Sequence, residues 1–283
     1  MATLIKAIRN QIQFNQEQLA AALKTTVGTI NRWENGKTIP NATMQRKLEI
    51  FCRRQKLEAF VGDQIIKSYE YVSDDGSMIL YHGSKKGIIG SILPNSRKET
   101  DFGSGFYMGT EVFQPLTLIC GEEAPKMYAL KLNLKNLKVL DIPLDMDWAM
   151  LIAYNRGHMQ NHSDSTLYKQ YAEMANGYDV VIGYIANDRM YQVINRFFDG
   201  DITDIALLNS LSALKLGKQY VCISRRACEQ VEILSERTVT SFELTFLREV
   251  SSVHREEGRN LADSVVKQYR REGKYFDELL KEG

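Results

Sequence analysis

"LYHGSKKG", residues 80–87, sets an apolar pair against His82 and follows it at once with Gly83 and Ser84, which have almost no side chain. The chain holds only four histidines. A histidine at the end of a strand-like run, next to a glycine, puts ring nitrogens beside backbone that another molecule can approach closely. Working outward, short runs rich in β-branched, leucine and tyrosine residues recur at MILYHGS (78–84), KMYALKLNL (126–134), LKVLDI (137–142), YDVVIGYIA (178–186) and KQYVCIS (218–224). Helical stretches lie between them, including 143–159 and 165–177. These alternations predict a mixed α+β body over residues 78–235.

Upstream the period changes. Apolar residues recur at helical spacing at Leu4, Ile5, Ile8, Ile12, then Leu19, Ala20, Leu23, then Val27, Ile30, Trp33, then Leu48 and Phe51. Asn15 is placed to cap one short helix, with Gln18 in the capping-box position, and Thr25 or Thr26 caps the next. Gly36 suits a helix end, and Pro40 cannot continue that helix. Residues 1–67 therefore predict a small all-α head. The polar stretch SYEYVSDDGS (68–77) ends in a turn-prone cluster and reads as a linker. Residues 236–283 predict a helical tail, with Leu261, Val265, Tyr269, Phe276 and Leu280 at helical spacing, interrupted by Gly273.

Charge divides along the same line. Residues 1–67 carry 11 Lys/Arg against 5 Asp/Glu, a balance of +6; residues 68–283 carry 25 against 30, a balance of −5. A basic head on a mildly acidic body points to an anionic partner for the head alone. The longest apolar runs fall well short of the ~20 residues of a membrane helix, and the N-terminus has no secretory pattern. Four cysteines without paired spacing predict buried or free thiols in a reducing compartment, which makes the expected location cytoplasmic.

On QEQLAAAL (16–23), VGTINRWENG (27–36) and Pro40, the head resembles the helix-turn-helix of the phage-repressor (Cro/repressor, XRE) family. The resemblance implies that the second helix enters the major groove of DNA. Thr26, Gly28, Thr29, Asn31 and Arg32 would read base edges, Gln16 would meet a phosphate, and Lys24 and Lys37 would add phosphate attraction. A palindromic operator would imply a homodimer. The turn departs from the pattern in lacking a glycine between the two helices.

Three motifs of the body, Tyr81-His82-Gly83-Ser84, RKETDFGSGFYMGT (97–110) and GKQYVCIS (217–224), resemble the diphtheria-toxin and poly-ADP-ribose-polymerase branch of ADP-ribosyltransferases. Each motif alone carries little; their order and domain-scale spacing carry the resemblance. It implies NAD as substrate, with His82, Tyr107 and Gln219 as the catalytic set. His82 would hold a ribose hydroxyl, Gly83 and Ser84 would meet the nicotinamide side, and Tyr107 would stack on the nicotinamide ring. Gly103 and Gly105 would leave room for the dinucleotide, and Arg97 would face the pyrophosphate. Gln219 stands where the chain-building members carry glutamate. A carboxamide orients a hydroxyl but cannot act as a general base, so the resemblance implies transfer of a single ADP-ribose unit. The acceptor class stays open among protein, DNA and RNA, and the setting implied is a bacterial toxin of a toxin–antitoxin or phage-defence system with an antitoxin partner. Two alternatives stay open: a DNA-binding regulator whose body is a catalytically silent NAD sensor or interaction module, and an NAD glycohydrolase. His158 and His162 stand four apart, but no third ligand lies near, so no metal is expected.

Overall fold

The computed structural model describes residues 1–185, 188–213, 217–269 and 272–282. The head is five helices: α1 (Ala2–Gln11), α2 (Gln16–Leu23), α3 (Val27–Glu34), α4 (Ala42–Arg54) and α5 (Glu58–Lys67). Asn15 and Gln18 form the expected capping box on α2, and the Thr26 side chain caps α3 through the Thr29 amide. The turn between α2 and α3 closes without glycine. Lys24 takes the left-handed conformation there, at φ 52°, and gives its backbone N–H to the carbonyls of Ala20 and Ala21. A non-glycine residue in that region costs about 1–2 kcal/mol, which the buried faces of the two helices, Leu19, Leu23, Ile30 and Trp33, offset.

The body holds seven strands among the described residues: β1 (Leu80–Ser84), β2 (Phe106–Gly109), β3 (Lys126–Leu132), β4 (Val139–Asp141), β5 (Val180–Tyr184), β6 (Lys218–Cys222) and β7 (Val231–Thr238). They form one sheet in the order β4-β5-β6-β2-β1-β3-β7, antiparallel except for the β4–β5 pair. The fold is α+β: a helical head, a mixed sheet and C-terminal helices. The period-2 alternation sorts the strand residues onto two faces. Leu80, Phe106, Met108, Tyr128, Val180, Ile182 and Tyr220 share one core. On the other face, Tyr81, Met127 and Ala129 pack under α6 (Phe113–Ile119). Val181 and Val221 of that face meet α7 (Met146–Asn155), α9 (Asp188–Phe198) and α10 (Asp204–Ser212).

Beyond β6 the chain adds the short α11 (Arg225–Cys228), then α12 (Ser241–Tyr269) and α13 (Phe276–Glu282). Helix α8 (Thr166–Glu173) fills the second helical stretch read from the sequence. The break between α12 and α13 falls at Gly273, whose φ is +86°. Phe276 then stacks on Phe197 and Phe198 of α9, each 5.4 Å away. All four cysteines are free and buried.

Head, linker and tail are less separate than their composition suggests. Phe242, Phe246 and Leu247 of α12 belong to the same core as Ile5, Leu19 and Trp33 of the head. Helix α5 lies on α12 so closely that a Cβ on Gly62 would fall 2.2 Å from Val250 Cγ2. Tyr69, at the start of the expected linker, is buried; its hydroxyl donates to Glu243 at 3.1 Å, and the Arg237 guanidinium lies 3.8 Å above its ring. No described helix is long and apolar enough to cross a membrane.

Candidate functional site

The site begins where two strands part. Antiparallel β1 and β2 share a single registered pair, Tyr81 with Gly109. Beyond it β1 stays with β3 as far as Ser84, while β2 stays with β6. A cavity of about 620 Å³ opens there, within the roughly 300–1,000 Å³ range of small-molecule sites. Its walls include His82, Gly83, Tyr107 and Gln219, with Arg97, Asp101 and Arg156 around them.

His82 bridges the gap. Its Nδ1 meets the Tyr107 carbonyl at 2.7 Å, and its ring lies 4.5 Å from that of Phe106. A carbonyl only accepts, so Nδ1 carries the proton and the neutral ring keeps Nε2 as an acceptor. Burial lowers the His82 pKa, opposed by the bond to Tyr107, so the neutral form is favoured.

Tyr107 governs the loop that follows Arg97. Its hydroxyl donates to the Gly103 carbonyl at 2.7 Å, accepts the Phe102 N–H at 3.0 Å and lies 2.8 Å from the Thr100 hydroxyl. Burial pushes this phenol upward, which keeps it a donor. Gly103 turns the loop at φ +73°. The same segment is pinned from α7, where Asn155 donates to the Asp101 carbonyl at 3.1 Å.

Gln219 is buried, at 6 % exposure. Its Nε2 donates to Asp101 Oδ2 at 3.0 Å and to the Tyr184 carbonyl at 3.1 Å. Asp101 is in turn held by Arg156, whose Nε lies 3.1 Å from Oδ1. Arg97 is exposed at the cleft mouth and none of its guanidinium nitrogens bonds a described residue.

Three expected residues stand elsewhere or serve another purpose. Ser84 ends β1 beside Lys126, outside the cleft lining. Gly105 leaves room for β6 and not for a ligand: a Cβ there would lie 2.4 Å from Val221 Cγ1. Gly83 does line the cleft, yet its missing side chain admits α6, since a Cβ would fall 2.7 Å from the Pro115 carbonyl. His158 lines the cleft and packs on Phe198 at 4.3 Å; among the described residues no cluster suits a metal. Sequence reading passed over Asp101 and Arg156. Asp101 sat inside a motif already singled out; Arg156 had no sequence signal, since only the fold brings α7 to that loop.

In the head, Gly28, Asn31 and Arg32 are exposed on α3, and Thr29 is half-buried. Thr26 is engaged as the cap, with its hydroxyl 2.9 Å from that of Thr29. Gln16 opens α2 as expected, but its amide donates to Glu34 at 2.7 Å, inside a network that Arg9 completes.

A model of the family described as "Protein of unknown function (DUF3990)" matches residues 78–233, more than half of the chain. The chain belongs to that family. The DUF3990 region runs from just before β1 into β7 and so contains the whole cleft. A second model, described as "Helix-turn-helix", matches residues 5–55, which supports DNA binding by the head. No curated protein and no solved structure matches this DUF3990 chain.

Proposed function

We propose that the DUF3990 body is an NAD-dependent mono-ADP-ribosyltransferase carried on a DNA-binding head. The observation that carries this reading is the convergence of His82, Tyr107 and Gln219, from three strands, on one cleft of about 620 Å³. Each offers what the reaction needs. His82 Nε2 accepts from a ribose hydroxyl, the Tyr107 ring offers an aromatic face to the nicotinamide, and Gln219 binds a second hydroxyl without carrying charge. Arg97 at the mouth suits a pyrophosphate. In the reaction the glycosidic C–N bond to nicotinamide breaks, and nicotinamide leaves with the bonding pair. The acceptor's oxygen or nitrogen then bonds the same ribose carbon and loses its proton. With a carboxamide at position 219, catalysis rests on positioning and electrostatic stabilisation, not on a base at that residue.

The head supports a DNA-bound or self-repressing protein, and a cytoplasmic toxin of a defence or toxin–antitoxin system is the setting this reading implies. The test is incubation of the purified chain with NAD labelled in its adenylate part and with cell extract. Label on a macromolecule, abolished by Tyr107→Ala and Gln219→Ala, is the expected result. Free ADP-ribose alone would make the protein a glycohydrolase. DNA binding with no NAD consumed would make it a regulator with a silent body.

A further inference from the structure

The carboxamide of Gln219 has two polar ends, and its surroundings decide which end the cleft meets. Both acceptors near Nε2 are fixed. The Tyr184 carbonyl belongs to β5, paired in register with β6, and the Asp101 carboxylate is clamped by Arg156. The two bonds, at 3.0 and 3.1 Å, use both N–H groups of the amide. Rotating the amide by half a turn would set Oε1 against a carboxylate and a carbonyl together, leaving three acceptors facing one another. Oε1 takes no hydrogen bond from any described residue.

We infer that Asp101 is a positioning residue that, with the Tyr184 carbonyl, keeps both N–H groups of Gln219 engaged, so that Oε1 is the end left for the cleft and Gln219 acts there as an acceptor only. In its consequence for turnover the inference rests on the transferase reading. The hydroxyl that Gln219 meets must then be a donor, and a substrate group that only accepts is excluded at this position. The arrangement also polarises the amide. A carboxylate pulling on the N–H raises the electron density on Oε1, as neighbouring bonds in a chain strengthen one another. A neutral glutamine thus offers an oxygen that works toward a hydroxyl as a glutamate oxygen does, while the negative charge stays on Asp101, balanced by Arg156.

Asp101→Asn tests this with the side-chain shape kept. Arg156 retains the one oxygen that the substituted side chain still has, so the new NH2 faces Gln219 and opposes its orientation. The first readout needs no activity. In the 15N-labelled full chain, the Gln219 side-chain NH2 signal, assigned by its loss in Gln219→Ala, exchanges with solvent about tenfold more slowly than exposed glutamines. In Asp101→Asn that protection is lost. The second readout is NAD consumption, where Asp101→Asn lowers kcat by about 10–100-fold and leaves the KM for NAD within about threefold. An unprotected wild-type NH2, protection that survives Asp101→Asn, or a variant that turns over at the wild-type rate overturns the inference. A wild-type chain that consumes no NAD instead overturns the transferase reading, and the exchange measurement then decides the orientation alone.

Discussion

His82 donates an Nδ1–H hydrogen bond to the backbone carbonyl of Tyr107, 2.7 Å away, at the point where β1 and β2 separate. The side chain thus satisfies a carbonyl that the interrupted ladder leaves open. The cleft and the histidine are one feature: without the bond the parted strands would hold an unpaired buried acceptor.

This gives a pH dependence with a definite sign. Burial lowers the His82 pKa, and burial followed by Arg156 lowers that of His158. The unfolded chain therefore takes up protons that the folded chain resists. Stability rises with pH between the lowered values and the ordinary value of about 6.5 and levels off above it. Urea midpoints measured between about pH 5 and pH 8 should show a steeper fall on acidification for the wild type than for His82→Gln. Parallel curves would remove His82 from the account.

Tyr107 serves the loop through its hydroxyl and the cleft through its ring. Tyr107→Phe deprives the Phe102 N–H of its acceptor, leaves the Gly103 carbonyl with the Thr100 hydroxyl alone, and should cost about 1–3 kcal/mol. It should also expose Arg97 and Lys98 to faster tryptic cleavage. With its ring retained, Tyr107→Phe should consume more NAD than Tyr107→Ala; equal loss in the two variants would deny the ring a role.

The contact between α5 and α12 is tight enough to test by exchange of volume. Gly62→Ala places a methyl 2.2 Å from Val250 Cγ2 and should destabilise the chain by about 1–3 kcal/mol. Val250→Ala in the same molecule should recover part of that loss. Additive effects in a double-mutant cycle of chemical denaturation would mean that the two helices do not meet there in solution.

On DNA the head should separate two kinds of contact. Asn31→Ala and Arg32→Ala, exposed on α3, should each cost about 1–3 kcal/mol on a selected site and less on random duplex. Lys37→Ala should weaken both equally and reduce the salt slope by about 1. Fluorescence anisotropy on the two duplexes at several salt concentrations reads both. Uniform losses in all three variants would argue against base reading by α3.

Much of this was legible in the residues because local chemistry decided it. The capping box at Asn15, the Thr26 cap, the break at Gly273 and five of the seven strands each follow from a few neighbouring side chains. Strand β7 was missed because three of the eight residues of VEILSERT are charged and none is buried, so no apolar alternation shows. Helix α6 is seven residues with a proline inside, too short for a period to show. The Gln16 amide and the Asp101–Arg156–Gln219 chain depend on partners 18 to 118 positions away. No window of sequence contains both ends of such a contact. The glycines of the body looked like space for a ligand, whereas Gly83 and Gly105 make space for neighbouring backbone and side chains.

Tyr69 lies beneath Arg237 and against Glu243, at the joint where a tether would have been expected. A joint filled by a stacked ring and a shared carboxylate has no swivel. With the helix-turn-helix seated on a duplex, the mouth of the cleft would therefore keep one bearing toward that duplex.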